Sequence, residues 1–184
     1  MKTKMSVTGI CIALAVMLNT PFKVTAQSSP TTPKIEVKEV NAQKALTIKV
    51  SVPTNTIGQK MGELYGKLFG HLGENSLQPA GAPFAVYYSF DPNGNTEFEV
   101  GVPVSTETKG TDEIKYKEYP AMKVISTLYV GPYEKMGPVY EALKKYAADN
   151  KLETQPATWE VYLTDPMKET DTSKYQTLIY YVIK

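Results

Sequence analysis

The chain has 184 residues, and its 20 basic residues, all of them lysines, nearly balance 19 acidic residues. Arginine offers the two-pronged hydrogen bonding that suits phosphate and guanine, so its absence, together with the lack of a basic patch, indicates that nucleic acid is not a partner. The single cysteine, Cys11, and the single histidine, His71, cannot supply the usual nitrogen and sulfur ligands of a metal centre, and we expect no metal and no other cofactor.

The segment 1–26 has the pattern of an export signal. Lys2 and Lys4 make a positive start, the apolar stretch 10–18 is too short to span a bilayer, and the small residues at 24–26 suit a signal peptidase. Cleavage at the end of this segment would leave 27–184 with no cysteine, which suits an oxidising compartment. We therefore predict an exported protein, periplasmic or extracellular, with no stable membrane anchor after cleavage.

Lipidation of Cys11 is the alternative fate of this segment. The bulky Ile10 before the cysteine and the short stretch that precedes both residues disfavour it. Residues 27–34 are rich in Ser, Thr and Pro and predict a flexible tether. The ordered domain is predicted over 35–184.

The predicted elements of the domain begin with a strand over 46–52, where apolar and polar residues alternate. Apolar residues at helical spacing follow over 57–72 and predict a helix. Two further alternating runs, 84–90 and 98–104, predict strands joined by a turn at 91–94, where Asp, Pro, Asn and Gly favour a chain reversal. The unit is therefore βαββ.

The same order recurs later in the chain. Lys60-Met61-Gly62 returns as Lys135-Met136-Gly137, and Asp91-Pro92 returns as Asp165-Pro166, so the two offsets differ by a single position. Internal similarity at a nearly constant offset indicates two copies of one structural unit.

The two copies span about 35–106 and about 112–184. Two such units join most simply in one sheet around a pseudo-two-fold axis. We therefore predict an α+β fold in which duplicated βαββ units form one antiparallel sheet, with two helices on one face and a ligand groove along the pseudo-two-fold axis.

The copies differ at one position of a central strand. Aligning the repeats places Ala85 with Glu160 and Tyr87 with Tyr162. If the alternate residues pack against the helices, the period of two sends Glu160, Tyr87 and Tyr162 to the opposite face. The residues expected beneath the helices are Phe84, Val86, Tyr88, Trp159, Val161 and Leu163. Those expected to join Glu160 are Glu97, Glu99 and Gly101 from the third strand and Thr177, Ile179 and Tyr181 from the last.

A single carboxylate among tyrosines suits a flat or bulky apolar ligand, preferably a cation. Tyrosine rings supply apolar area and a negative face, and a partly desolvated carboxylate is stabilised by a positive guest. The alternative interpretation is that the tyrosines are ordinary strand formers and Glu160 is a solvated outward residue.

Four motifs carry a resemblance to a known family. They are Val130-Gly131-Pro132-Tyr133, Trp-Glu-Val-Tyr-Leu-Thr-Asp-Pro at 159–166, Thr-Leu-Ile-Tyr-Tyr-Val at 177–182, and Val-Gly-Val-Pro-Val at 100–104. From about residue 35 to its end the chain resembles the GyrI-like small-molecule-binding family, which includes the effector-binding domains of some AraC-type and MerR-type regulators.

The resemblance implies a ligand groove between the halves with an acidic residue at its base, which matches Glu160 here. It also implies that some relatives hydrolyse strained small molecules with an acidic residue and aromatic neighbours. Regulators of this family carry a DNA-binding domain, whereas a signal and a tether are predicted before the fold here. We therefore expect a stand-alone exported domain rather than a transcription factor.

The leading hypothesis is extracytoplasmic binding of a hydrophobic or aromatic small molecule, preferentially a cation, with Glu160 as the polar anchor. The expected lining is Tyr87, Trp159, Tyr162, Tyr133 and Tyr181, although the parity of Trp159 assigns it to the core unless the strand begins after it. A second hypothesis is a GyrI-like small-molecule hydrolase in which Glu160 is catalytic, activating water or assisting ring opening. A third is a protein-interaction module.

The first predicted helix carries a stripe of glycines at every fourth position, Gly58, Gly62, Gly66 and Gly70, each costing about 1 kcal/mol relative to alanine. The stripe either lets another backbone approach closely, from the second helix or a partner protomer, or marks a weakly specified helix held by its apolar face. His71, near the end of this helix, is predicted to be a surface or helix-end residue.

Overall fold

The computed structural model describes residues 34–184. The predicted signal peptide at 1–26 and the predicted tether at 27–34, apart from Lys34, lie outside the described residues. Within the described range, no helix combines the length and the apolar character needed to cross a membrane.

Eight strands and two α-helices make up residues 34–184. In chain order they are β1 (Glu36–Val40), β2 (Gln43–Pro53), α1 (Ile57–Glu74), β3 (Phe84–Ser89), β4 (Asn95–Val104), β5 (Lys115–Tyr119), β6 (Met122–Val130), α2 (Gly137–Asp149), β7 (Thr154–Tyr162) and β8 (Gln176–Ile183). Short 3-10 turns precede the two helices at Thr54–Thr56 and Tyr133–Lys135.

The strands form one antiparallel sheet in the order β1-β6-β8-β7-β3-β4-β2-β5. The predicted units are β2-α1-β3-β4 and β6-α2-β7-β8, so the duplicated α+β fold is confirmed. The edge strands β1 and β5 were not predicted, because their five residues are rich in Lys and Glu, as suits exposed edges. β1 precedes the first unit in the chain but pairs with β6 of the second unit. In the same way, β5 precedes the second unit but pairs with β2 of the first.

The pseudo-two-fold axis passes between β3 and β7, which pair antiparallel at the centre of the sheet. Ala85 is the direct cross-strand partner of Glu160. These two residues are also equivalent in the repeat, so they face each other across the axis itself. The one position where the central strands differ in charge therefore lies where the two halves meet.

Each helix packs one apolar stripe on the sheet, as the spacing of three to four residues requires. From α1, Leu64, Leu68 and Leu72 are buried against β2 and β4, and from α2, Val139, Leu143 and Ala147 are buried against β6 and β8. Fully burying a leucine contributes about 1.5–3 kcal/mol, so this packing, rather than intrinsic propensity, holds the glycine-rich α1 in place.

The two helices also end in the same way. The side-chain amides of Asn75 and Asn150 donate to the carbonyls of His71 and Tyr146, four residues earlier, at 2.8 and 2.9 Å. Each of these carbonyls also accepts the backbone N–H of the same asparagine, at 3.2 and 3.1 Å, so one residue closes the last turn of each helix through two donors. His71 Nε2 lies 3.0 Å from the Lys109 carbonyl, so the only histidine is a helix-end residue, as predicted.

The assignment of the two faces predicted from the sequence is wrong. Phe84, Val86 and Trp159 pack on the face away from the helices, and Glu160 lies on the helix side, bonded to Tyr140 of α2. Within β3 and β7, the period of two correctly separates the side chains of one face from those of the other. It carries no information about which set the helices cover, and both sets here are largely apolar. Val161 also packs in the cluster away from the helices, and so do Tyr88, Val124, Tyr180 and Val182.

The face away from the helices is not free but forms a second core, because the sheet curls around it. Tyr119 lies on the edge strand β5, four strands from β7. A flat sheet would place strands four positions apart at about 19 Å. The Tyr119 and Trp159 ring centroids are 5.0 Å apart, and Trp159 stacks on Phe84 at 5.2 Å.

The glycine stripe of α1 faces open space within the described part of the chain. A Cβ atom built at Gly58, Gly62, Gly66 or Gly70 would meet no atom within 4 Å outside its own helix backbone. Of the two contacts considered for this stripe, close packing of α2 is therefore excluded. Contact with a partner protomer and the weakly specified helix stay open as alternatives.

Candidate functional site

A buried carboxylate between the two helices is the centre of the candidate site. The Glu160 side chain rises from β7 on the helix side, and only 5% of the residue is exposed. Tyr140 of α2 donates a hydrogen bond to Oε1, and Tyr162, two residues along β7, donates to Oε2 at 2.8 Å. Ala85, opposite, has only a methyl side chain and leaves room for the carboxyl group.

The side chains of Tyr87 and Met61 lie next to Tyr162 and form the next layer around Glu160. The hydroxyls of Tyr87 and Tyr162, which occupy equivalent positions in the two halves, lie 3.4 Å apart. Met61 of α1 places its Sδ 3.6 Å from the Tyr87 hydroxyl and 4.0 Å from the Tyr162 hydroxyl. The carboxylate is thus enclosed by rings and a thioether.

Two more tyrosines build the walls of this cluster. The Tyr65 ring of α1 meets the Tyr162 ring edge-on at 6.3 Å and 86°, and its hydroxyl donates to the Phe84 carbonyl at 2.7 Å. Tyr133, in the turn before α2, meets Tyr162 edge-on at 5.7 Å and 80°. Tyr133 is 39% exposed, so this part of the cluster reaches solvent.

The electrostatics of the cluster are set by burial without a neighbouring cation. Burial raises the pKa of Glu160, and the hydrogen bonds from Tyr140 and Tyr162 oppose that rise only in part. Within residues 34–184, no ion pair reaches Glu160. Burial, and then the charge of Glu160, also raise the pKa of Tyr140, Tyr162 and Tyr87, which therefore remain neutral. A positive guest would stabilise the ionised carboxylate.

The structure brings together four of the six residues predicted from the sequence: Glu160, Tyr162, Tyr87 and Tyr133. Trp159 lies on the opposite face in the second core, as its parity indicated, and cannot line this cluster. Tyr181 shares the helix side but is buried in the core beneath α2, paired with Thr158.

Glu99 and Gly101 were expected beside Glu160 and lie on the other face instead. Gly101 is covered by the Phe84 ring, whose nearest atoms would clash with any added side chain. Glu99 is paired across the strands with Val86, which belongs to the second core. Glu97, expected there as well, forms an ion pair with Lys49.

Sequence reasoning missed Met61, Tyr65 and Tyr140, which all lie on the helices. The signal was present in the repeat, because a methionine followed four residues later by a tyrosine occurs at 61 and 65 and again at 136 and 140. Residues four apart share one helix face. Their contact with Glu160 depends on the side of the sheet that the helices cover, which the period of two does not specify.

A cavity of about 850 Å³ opens elsewhere, on the face away from the helices. Val161, Leu178 and Tyr180 of the sheet line it together with the loop at 80–82. Glu160 does not reach this cavity, which faces the other side of the sheet. Within the described residues, no group of His, Cys, Asp and Glu side chains is arranged to hold a metal ion. The candidate site is therefore chosen for its chemistry, the buried carboxylate, rather than for open volume.

The family model of the GyrI-like small molecule binding domain matches residues 33–184. The chain belongs to the GyrI-like family. No curated protein sequence matches it.

Solved structures share the GyrI-like fold with this chain at low sequence identity. EcmrR, solved by cryo-electron microscopy in a DNA complex, has a TM-score of 0.74 and 18% identity, with 83% of this chain and 58% of that chain covered. This chain thus spans little more than half of the EcmrR chain. A hydrolase from Listeria innocua has a TM-score of 0.62 and 11% identity, covering 82% and 92%. SAV2435, bound to tetraphenylphosphonium, has a TM-score of 0.54 and 12% identity, covering 82% and 94%.

Proposed function

We propose that this GyrI-like protein binds hydrophobic aromatic cations in the groove between α1 and α2, with Glu160 as the anionic anchor. One observation carries the proposal: a carboxyl group that is 5% exposed is held by tyrosine hydroxyls and has no cation beside it within the described residues. Burying an ionised carboxylate is costly unless it is paired, so a cationic ligand completes the site.

The surroundings of Glu160 suit the apolar part of such a ligand. The cluster contains four tyrosine rings, at Tyr65, Tyr87, Tyr133 and Tyr162. Their faces attract cations, and their edges pack against the faces of aryl groups. Met61 adjusts its shape at low energetic cost, because its side chain is unbranched and flexible. Since the cluster encloses the carboxyl group, the ligand must displace one of these side chains. The structure of SAV2435, which has this fold, holds tetraphenylphosphonium and supports the choice of ligand class.

Calorimetric titration tests the charge requirement directly. Tetraphenylphosphonium and tetraphenylborate have the same shape and opposite charge, and in sodium buffer we expect saturable binding of the cation only. Glu160→Gln should weaken binding at least tenfold, because it removes the anion and keeps the volume. The matched control is Glu97→Gln, a glutamate on β4 that is half exposed and paired with Lys49. Equal affinity in wild type and Glu160→Gln would refute the anchor.

We further propose that binding takes place outside the cytoplasm, after cleavage of the export signal. The support is the charged start, short apolar stretch and small residues of 1–26. Mass spectrometry of the protein isolated from its native cells should find an amino terminus at Gln27. A chain that begins at Met1 in the cytosolic fraction would contradict export.

A second candidate function is hydrolysis of a small molecule at the same carboxyl group. The contact that favours it is the Tyr140 hydroxyl on Glu160, because a neutral tyrosine beside a carboxylate can serve as proton donor while the acid activates water. The Listeria innocua structure described as a hydrolase has the same fold. Incubation with aryl esters and epoxides, followed by mass spectrometry, should then give products that Glu160→Gln does not form. If every compound is recovered unchanged, hydrolysis is refuted and binding is the only function of this site that remains.

A further inference from the structure

Two buried threonines on the helix side of the sheet have hydroxyls with no hydrogen-bond partner among residues 34–184. They are Thr177 of β8, which is 0% exposed, and Thr127 of β6, which is 2% exposed. Each lies two residues from an isoleucine that packs beneath α2, Ile179 and Ile125 respectively, so strand alternation places both threonines on that face. Buried hydroxyls are nearly always hydrogen-bonded, so two exceptions at one place in the fold indicate a site for a polar partner.

Strand pairing places the two hydroxyls beside the Glu160 cluster. Thr177 is the direct cross-strand partner of Tyr162, whose hydroxyl donates to Glu160. Ile179 is the direct partner of Glu160 on one side and of Thr127 on the other. Thr177 is therefore the diagonal neighbour of Glu160, and such neighbours lie about 7–8 Å apart. The threonines extend the candidate site from β7 toward β6.

The first half of the sheet has apolar side chains at the equivalent positions. Phe98 takes the place of Thr177, because it is the cross-strand partner of Tyr87. By the same pairing, Ile48 takes the place of Thr127. Phe98 and Ile48 are buried in the core beneath α1, and the Phe98 ring packs against Tyr87 at 5.8 Å. The fold thus accepts wholly apolar residues at these positions and does not itself require the two hydroxyls of the second half.

Tyr133 borders this end of the groove and gives access to it. Its ring packs against Tyr162, which pairs with Thr177, and against Tyr175, two residues before Thr177 in the chain. With 39% of its surface exposed, Tyr133 is the side chain at this end that a ligand can displace.

We propose that the hydroxyls of Thr177 and Thr127 form a hydrogen-bonding subsite for the ligand held at Glu160. This inference rests on the proposed binding of cations at Glu160, and it narrows the ligand class. The ligand is a hydrophobic cation that also carries a neutral polar group, such as a hydroxyl, about one aryl ring away from its charge. A threonine hydroxyl both donates and accepts, so it pairs with such a group in either direction.

Two phosphonium ions of nearly the same shape test the subsite by calorimetric titration. The para-hydroxymethylphenyl triphenylphosphonium ion carries a hydroxyl where the para-ethylphenyl ion carries a methyl group. Thr177→Val replaces the protein's hydroxyl by a methyl group and should weaken binding of the hydroxymethyl ion at least fivefold relative to the ethyl ion. Ser126→Ala is the matched control, because it removes a buried, unpartnered hydroxyl that pairs across the strands with Tyr180, on the face away from the helices. It should change the ratio of the two affinities less than twofold.

Thermal unfolding checks that the Thr177 hydroxyl has no partner inside the protein. Thr177→Val should raise the melting temperature, because valine fills the same space without burying an unpaired hydroxyl. If Thr177→Val fails to fold, Thr127→Val is measured in the same way and should show the same selective loss. A lower melting temperature in a folded variant, or an unchanged ratio of the two affinities, would overturn the subsite while leaving the Glu160 anchor intact. If neither phosphonium ion binds the wild-type protein, the proposed function and the subsite both fail.

Discussion

Two glutamates are buried in this protein on opposite faces of the same sheet, and they differ in their partners. Glu99 is 0% exposed, with Lys117 Nζ 2.6 Å from Oε1 and the Tyr88 hydroxyl 2.6 Å from Oε2. Glu160 is 5% exposed and has two tyrosine hydroxyls but no lysine among its described contacts. The carboxylate of Glu99 is thus paired with a lysine of the same chain, whereas that of Glu160 has no such partner among the described residues.

The difference appears in the acid–base behaviour of the two groups. Burial raises the pKa of Glu99, but the ion pair with Lys117 and the hydrogen bond from Tyr88 outweigh it, and the pKa falls below its ordinary value of 4.5. The pKa of Glu160 is raised above that value, because its hydroxyl partners do not compensate for burial. Both carboxylates are almost inaccessible to solvent, yet their pKa shifts have opposite signs, and the cation beside Glu99 favours its ionised form.

The largest change in stability should come from removing Lys117, the lysine that is paired with Glu99. Lys117→Met leaves the Glu99 carboxylate buried without its partner and should lower the free energy of unfolding by about 2–3 kcal/mol, less than for a fully buried pair because Lys117 is 38% exposed. Urea unfolding followed by Trp159 fluorescence measures this. Lys115→Met, on the same strand, is the control and should change little. Equal losses in the two variants would mean that the ion pair does not stabilise the fold.

The pH dependence of stability should distinguish the two acids. Because the pKa of Glu160 is raised on folding, its contribution is fully present below pH 4.5 and is lost as the pH rises through the folded-state pKa. Glu99, with a lowered pKa, contributes above pH 4.5 and loses that contribution as the pH falls. Glu160→Gln should therefore gain about 1–2 kcal/mol of stability at pH 8 and none at pH 4.

Urea unfolding of wild type and Glu160→Gln across this pH range measures the gain, with Glu97→Gln as the exposed control. A Glu160→Gln variant that is less stable than wild type at pH 8 would show that the carboxylate is already compensated inside the protein.

A smaller effect should come from the hydroxyl partners of Glu160. Tyr140→Phe removes one donor and should raise the pKa of Glu160 further, so that tetraphenylphosphonium binding requires a higher pH and is about fivefold weaker at pH 7, or about 1 kcal/mol. Tyr65→Phe is the control, since this equivalent tyrosine bonds to the Phe84 carbonyl instead. Calorimetric titration at several pH values compares the two, and equal shifts would remove any special role for Tyr140.

The repeat made much of the architecture predictable. The strand and helix pattern is local, because periods of two and 3.6 are written in neighbouring residues, and the second copy of each element doubles its signal. The equivalence of Ala85 and Glu160 followed from the repeat, and the structure adds that this pair lies on the axis itself, where the two residues are direct cross-strand partners. The charged edge strands β1 and β5 gave no such signal.

The site could be predicted only in part, for two physical reasons. Tyr87, Glu160 and Tyr162 share one face by strand parity, which the sequence contains. Tyr65 and Tyr140 reach them only because the helices cover that face, and both faces of this sheet are apolar enough to be covered. Trp159 illustrates the same ambiguity. Strand parity correctly placed it on the face opposite Glu160, but that face is a packed second core and not the wall of the site.

The sequence by itself therefore determined the duplicated βαββ units, the alternation of side chains within each central strand, and the position at which the halves differ, because all three depend on spacing along the chain. Only the tertiary structure decided that the helices enclose Glu160, that the sheet curls until Tyr119 reaches Trp159, and that Lys117 pairs with Glu99 rather than with Glu160. These contacts join residues distant in the chain, and they depend on which face each layer covers.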